Sequence, residues 1–322
     1  MSPMKIKFLC TNCNNELTQD GNQLICNNCK TSPAIIENNI IVYKGCDQKT
    51  DFFDKQAVER LKKMYNGYTQ DNFKEDLQKC NLNNIDIFNK KVGITTKFWW
   101  KKYTGKIKEK SVLEVGCGVN YFVPYWLLTN NNVVAFDLCK EAVFLLKEIV
   151  QQLKISDKDL QLCVGDAEFI NIDKKFDIIN INNVLHHVND KRGTLLKLKK
   201  MLNKDGKILI VEPNYYYPFR WIVETDIFGK LNFLKKYCEK NNLIEKGEKA
   251  IKFKELKNLI KSMDFQIELN VKDPNYLGYG TIYFLDKFPK LTNFIYHIDK
   301  FLFSKIMPKV IAPFEYLIIR LR

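Results

Sequence analysis

The sequence predicts an α/β protein: a parallel sheet with helices on both faces, preceded by a small cysteine-rich module. Three observations carry that expectation. From Ser111 onward, short β-branched runs alternate with helical segments, the pattern of βαβ units. Two Cys-x-x-Cys pairs stand within the first thirty residues. A chain of 322 residues, 46% of them apolar, is sized for one large domain or two and excludes wholesale disorder.

The module comes first. Cys10-Thr-Asn-Cys13 and Cys26-Asn-Asn-Cys29 are two metal knuckles. Each turn lets two thiolates meet one cation, and two turns complete the tetrahedral shell that zinc prefers. A redox dithiol pair would need a thioredoxin-like βαβ context, which neither pair has. A closed four-thiolate site is structural. Between the knuckles, Glu16-Leu17, a turn at Asp20-Gly21-Asn22 and Gln23–Ile25 predict a short hairpin. Residues 33–43 predict a second, with two apolar runs about Asn38-Asn39. Residues 1–45 are therefore expected to form a zinc ribbon. Its four lysines against three acids are too few for an RNA clamp and favour a packing or partner-docking role. Cys46, Cys80, Cys117, Cys139, Cys163 and Cys238 are scattered singly, as buried thiols are.

Residues 46–105 read as a helical linker or cap. Val58, Leu61 and Tyr65 share one helical face, and a second helix carries Phe98, Trp99 and Tyr103. The stretch 90–110 holds eight lysines opposed only by Glu109. It is either a solvated helix with its aromatic side packed inward or a surface for an anionic substrate or membrane.

From residue 106 to 322 the chain reads as the sheet domain. Strands are expected at 111–116, 133–137, 160–165, 176–181 and 207–212, with helices at 140–153 and 192–202 between them. Ligands in such sheets sit at the carboxyl ends of the strands. Val112-Leu-Glu-Val-Gly-Cys-Gly-Val-Asn120 ends the first strand, and Gly116 and Gly118 permit a tight turn with close backbone approach. The dinucleotide fingerprint is excluded by Tyr121.

Glu114-x-Gly116-x-Gly118 in that position resembles the first motif of class I S-adenosylmethionine (SAM) methyltransferases. The family's third glycine is Asn120 here, the non-glycine residue most tolerant of positive φ. The resemblance continues in register through 111–212. It implies that Asp137 accepts the ribose hydroxyls, that Asp166, with Ala167 beside it, meets the adenine amino group, and that the loop from Asn182 faces the methionyl part. The implied cofactor set is Glu114, Gly116, Gly118, Asp137, Asp166, Ala167 and Asn182. The family's Rossmann-like sheet has seven strands, closed by a sixth and an antiparallel seventh, and 265–274 and 314–322 fit those places. An insertion near 285–313 is amphipathic over 301–312, a substrate lid or an interfacial membrane contact. Small ribbons like residues 1–45 resemble those fused in front of many bacterial methyltransferases.

Methyl transfer from a sulfonium is an in-line displacement, so the protein positions the acceptor and removes its proton. His186 and His187 follow the fourth strand, where either could serve as base; His187 is slightly favoured and one of the pair is expected to pack structurally. Tyr216, Arg220 and Trp221, in the aromatic run after the fifth strand, are acceptor-side candidates. Aromatic faces with nearby cations suggest a small-molecule, glycan-precursor, or lipid- or nucleotide-linked acceptor methylated at oxygen. The alternative is a ribosomal RNA base methyltransferase docking RNA through the ribbon, which the net charge of +14 suggests. Against it, the chain has neither an Asn-Pro-Pro-aromatic motif nor a Pro-Cys pair. With no long apolar run and no leader-like start, the expected location is the cytosol, with peripheral membrane contact an option.

Overall fold

The computed structural model describes residues 6–44, 69–72, 103–119, 122–169, 171–217, 250–272, 312 and 314–322. The expected helices across 57–65 and 98–102, Arg220, Trp221 and nearly all of the insertion 285–313 lie outside the described residues.

After a short β1 (Lys7–Phe8), the amino-terminal module folds as two hairpins. Strands β2 (Leu17–Asp20) and β3 (Gln23–Cys26) pair antiparallel across Gly21. Strands β4 (Ala34–Glu37) and β5 (Ile40–Tyr43) pair across Asn38 and Asn39, with φ of 50° and 59°. Two successive left-handed residues give a turn whose twist suits a hairpin, and Asn tolerates that conformation.

The body follows the expected alternation. Strands β6 (Ser111–Val115), β7 (Asn132–Asp137) and β8 (Leu160–Val164) are joined through helices α1 (Phe122–Leu128) and α2 (Lys140–Gln152). After a short β9 (Ile172–Asp173) come β10 (Phe176–Asn182), α3 (Lys191–Lys200) and β11 (Leu202–Pro213). Helix α4 (Phe253–Lys261), β12 (Phe265–Lys272) and β13 (Phe314–Leu321) complete the described elements. Helix α2 buries Ala142, Val143, Leu146, Ile149 and Val150, the three-and-four spacing of an amphipathic helix on a sheet. Helix α3 starts at Asp190, whose carboxylate accepts from the Gly193 amide at 2.8 Å.

The body strands run β8-β7-β6-β10-β11-β13-β12. Those from β8 to β11 are parallel, and β13 lies antiparallel between β11 and β12, as expected for 265–274 and 314–322. This is a Rossmann-like sheet with the seven-stranded order that the family resemblance implies. Its central strands are buried on both faces, and Phe122, Trp126, Phe136, Phe176, Phe265 and Tyr316 fill the core.

Two features differ from the sequence expectation. Strand β11 begins at Leu202 and not at Lys207: Phe176 pairs with Leu202 and Ile178 with Lys207, so Asn203–Gly206 form a bulge within one strand. The Asn203 side chain then bonds Asp177 at 2.7 Å, which also accepts from the Ser111 amide at 2.9 Å. Second, β5 pairs parallel with β8, so the module's hairpins extend the body sheet to eleven strands. Strand β1 also pairs antiparallel with β9. Among the described residues, no helix is long and apolar enough to cross a membrane.

Candidate functional site

The connections leave β6 and β10 toward opposite ends of the sheet, which opens a crevice at their carboxyl ends. A cavity of about 600 Å³ lies there, walled by the segments that follow β6, β7, β8 and β10. That volume is within the range of small-ligand sites, about 300–1,000 Å³.

Gly116 and Gly118 both line it, with φ of 66° and 47°. A Cβ on Gly116 would stand 2.3 Å from Val184 Cγ2, so no side chain fits between the β6 and β10 loops. At Gly118 no protein atom lies within 4 Å of the Cβ position, leaving bare backbone at the cavity wall. The Gly118 amide donates to Asp137 Oδ2 and the Cys139 amide to Oδ1, both at 2.8 Å. Burial pushes the Asp137 carboxyl above its usual range, opposed by those amide hydrogen bonds. Asp166 and Ala167 line the same cavity, and Asp166 Oδ1 accepts from the Glu168 amide at 2.9 Å. Asn182, at the end of β10, lines it as well.

Glu114 is placed differently. Its carboxylate is fully buried, Asn180 Nδ2 on the neighbouring strand donates to both oxygens at 3.2 and 3.0 Å, and it is not among the residues lining the cavity.

The two histidines divide. His187 lines the cavity, whereas His186 is buried with Nδ1 2.6 Å from Glu212 Oε2. Glu212 Oε1 also accepts from the amides of Val184, at 2.9 Å, and Leu185, at 2.6 Å. One buried carboxylate thus anchors the whole turn that presents His187. The two rings do not diverge: their centroids are 3.8 Å apart at 43°. Tyr216 is 46% exposed and is not among the described residues of the cavity wall.

Sequence reasoning missed Glu168, which lines the cavity and accepts from the Asn189 amide at 2.8 Å, tying the β8 loop to the start of α3. It also missed Glu212. A polar residue ending an otherwise apolar strand run was the available signal.

The four module cysteines converge, with all Sγ atoms within 4.8 Å of one another. Cys10–Cys29 is 3.6 Å, Cys13–Cys26 3.3 Å and Cys13–Cys29 3.8 Å. Four sulfurs at about 2.3 Å from a central zinc would stand about 3.8 Å apart, so the donor set fits a tetrahedral metal. Hydrogen bonds from Asn15, then Asn28, pull the Cys13 thiol down to about 5. Without a metal its neighbour Cys26 is pushed up to about 11: the Cys29 amide lowers it, but burial and Cys13 outweigh that. Thr31 lowers Cys29. Elsewhere burial pushes the Cys117, Cys139 and Cys163 thiols up, Cys139 to about 12.

The family described as the methyltransferase domain matches residues 106–266, half of the chain, and the chain belongs to that family. Among curated relatives it is 32% identical over 111 residues to a tRNA U34 carboxymethyltransferase of Campylobacter lari, covering 34% of this chain and 38% of that one. It is 28% identical over 107 residues to a malonyl-[acyl-carrier protein] O-methyltransferase of Hamiltonella defensa, covering 33% and 39%. The chain thus spans about two fifths of the length of these relatives. Magnesium protoporphyrin IX methyltransferase from Synechocystis PCC 6803, solved with bound S-adenosylhomocysteine (SAH), superposes with a TM-score of 0.48 at 12% identity, covering 86% of this chain and 99% of that one.

Proposed function

We propose that this chain is a SAM-dependent methyltransferase that acts on a small-molecule, glycan-precursor or lipid-linked acceptor, at oxygen, with a structural zinc in its amino-terminal ribbon. The observation that carries the reading is Asp137 at the cavity wall, its carboxylate fixed by the Gly118 and Cys139 amides beside bare backbone at Gly118. SAM supplies an activated methyl group on a sulfonium. In this reading Asp137, held rigidly by two backbone donors, still has lone pairs for the ribose hydroxyls. Gly116 and Gly118 give the close approach, Asp166 and Ala167 meet the adenine, and Asn182 meets the methionyl end. Glu114, the first residue of the implied cofactor set, is buried against Asn180 and contributes by holding the end of the strand that leads into the glycine turn. His187 takes the acceptor's proton, while His186 and Glu212 hold the turn that aims it. Tyr216 and, from sequence alone, Arg220 and Trp221 contribute the acceptor side. The zinc would be held by Cys10, Cys13, Cys26 and Cys29 and would do no chemistry. The protein works in the cytosol, and from sequence alone the segment 285–313 serves as a substrate lid, with interfacial membrane contact the alternative.

A nucleic-acid acceptor is the second reading. It is favoured by the net charge of +14 and by the similarity to a protein named as acting on tRNA U34. The ribbon would then dock the RNA. Incubation with methyl-labelled SAM and fractionated extract separates the two. Label entering small molecules or lipid supports the first reading. Label entering RNA, with log affinity falling by about 0.7 per phosphate contact for each tenfold rise in salt, supports the second. No transfer to any fraction refutes both.

A further inference from the structure

The loop that carries Asp166, Ala167 and Glu168 to the cavity is held at both ends by the amino-terminal module. On its entry side, β8 pairs with β5 at Cys163–Ile41 and Val164–Val42, directly before Gly165. On its exit side, the Asn171 carbonyl accepts from the Leu9 amide at 3.0 Å, and β9 pairs with β1 at Ile172–Phe8 and Asp173–Lys7. Phe8 and Ile172 are both buried. Asn171 Nδ2 also donates to Asn14 Oδ1 at 2.8 Å. Asn14 follows Cys13 and is itself part of the knuckle: it has φ 59° and its amide donates to the Cys10 carbonyl at 2.9 Å. The contact from the cavity loop therefore ends on the turn that shapes the thiolate cluster. Farther out, Glu37 pairs with Lys140 at 2.7 Å and the Asn38 carbonyl accepts from Lys147, which ties the β4–β5 turn to α2.

A two-residue strand pair such as β1–β9 has little stability of its own, so its order depends on the module folding around its cysteines. We propose that the four-cysteine module is a brace for the loop Gly165–Phe169, with Asn14 and Asn171 as positioning residues. Metal occupancy at the cysteines and SAM affinity then rise and fall together. The coupling is reciprocal, as any linkage between two binding equilibria must be. This rests on the reading that the cavity binds SAM and that the cysteines hold zinc. Covering of a sheet edge alone would give a different result: loss of the module would lower overall stability without loosening 165–173 selectively.

The test uses the full-length zinc-loaded protein, Asn14→Gly and Asn171→Ala. Asn14→Gly keeps a residue at ease with positive φ and removes only the acceptor. Metal content, thermal midpoint, SAH affinity by calorimetry and hydrogen exchange by peptide are measured for each. Both variants should keep their zinc and midpoint. They should exchange faster across 165–173 and bind SAH about two- to tenfold more weakly, the worth of one net hydrogen bond. KM for SAM should rise while kcat at saturating SAM is unchanged. Stripping zinc with a chelator should weaken SAH binding by about ten- to a hundredfold, as several loop residues regain backbone freedom, and zinc should restore it. Unchanged exchange and SAH affinity in both variants overturn the brace. If the stripped protein unfolds, the variants decide alone. If the wild-type protein does not bind SAH, the cofactor reading fails, and hydrogen exchange at 165–173 still decides the brace.

Discussion

Replacing Glu212 by Gln should loosen the turn that carries His187 without abolishing the fold. Glu212 is fully buried and takes three hydrogen bonds: two from the amides of Val184 and Leu185 and one shared with His186 Nδ1. Glu212→Ala would leave two buried polar groups and the partly buried Val184 amide without this partner, at about 1–3 kcal/mol each. That sum rivals a whole domain's stability of about 5–15 kcal/mol, so the alanine variant is expected to fold poorly or not at all. Gln keeps the shape and one oxygen for the two amides, and its NH₂ can donate to a neutral His186. What it loses is the charge of the acceptor, worth about 1.5–3 kcal/mol. At about 2–4 °C per kcal/mol for a chain of this size class, the midpoint should fall by about 3–12 °C. Differential scanning calorimetry at neutral pH reads the midpoint, and steady-state kinetics on the same samples should show kcat falling more than KM for SAM. A Gln variant as stable and as active as the wild type would refute the anchoring role.

Asp137→Ala should weaken SAM binding by about tenfold or more, since it removes a charge-assisted acceptor worth about 1.5–3 kcal/mol and also frees the Gly118 amide; calorimetry checks it. Elemental analysis should find one thiolate-bound zinc per chain. Cys26→Ser should lose it and lower stability before it alters methyl-transfer chemistry. Asp177 is pushed up by burial, but hydrogen bonds from Ser111 and Asn203 outweigh this and hold its carboxyl below the usual range. A depressed acid stabilises the fold above its unfolded value of about 3.9 and loses that contribution as pH falls toward the folded value. Asp177→Asn should therefore be less stable at neutral pH and lose less on acidification from pH 5 to 3, read from urea midpoints.

The sheet was legible because its strands are β-branched runs with apolar faces on both sides and its helices show a clear three-and-four spacing. That the glycine turn, Asp137 and Asp166 border one cavity follows what the family resemblance implies, since it places each of them at a strand end. Burial behind the site was less legible. An acid set in an apolar strand run is the one signal at Glu114 and Glu212, and it names no partner, since Asn180 and His186 come from another strand or loop. The union of β5 with β8 was also hidden, because pairing between segments more than a hundred residues apart leaves no periodicity. Its one trace is Ile40-Ile41-Val42-Tyr43, buried along its whole length as an interior strand is and an edge strand is not. The doubled histidines were legible as a pair with one structural member, but the sequence does not name that member's partner. Only the buried Glu212 shows which ring is anchored and which lines the cavity.

The central claim is that the cavity at the carboxyl ends of β6, β7, β8 and β10 is a SAM site. Calorimetric titration of the purified chain with SAH, with NAD run alongside, tests it most directly. The account predicts saturable one-to-one binding of SAH, slowed hydrogen exchange at 116–118 and 165–168 in the complex, and no measurable heat from NAD. An absence of SAH binding at millimolar concentration, or NAD binding in its place, would contradict it.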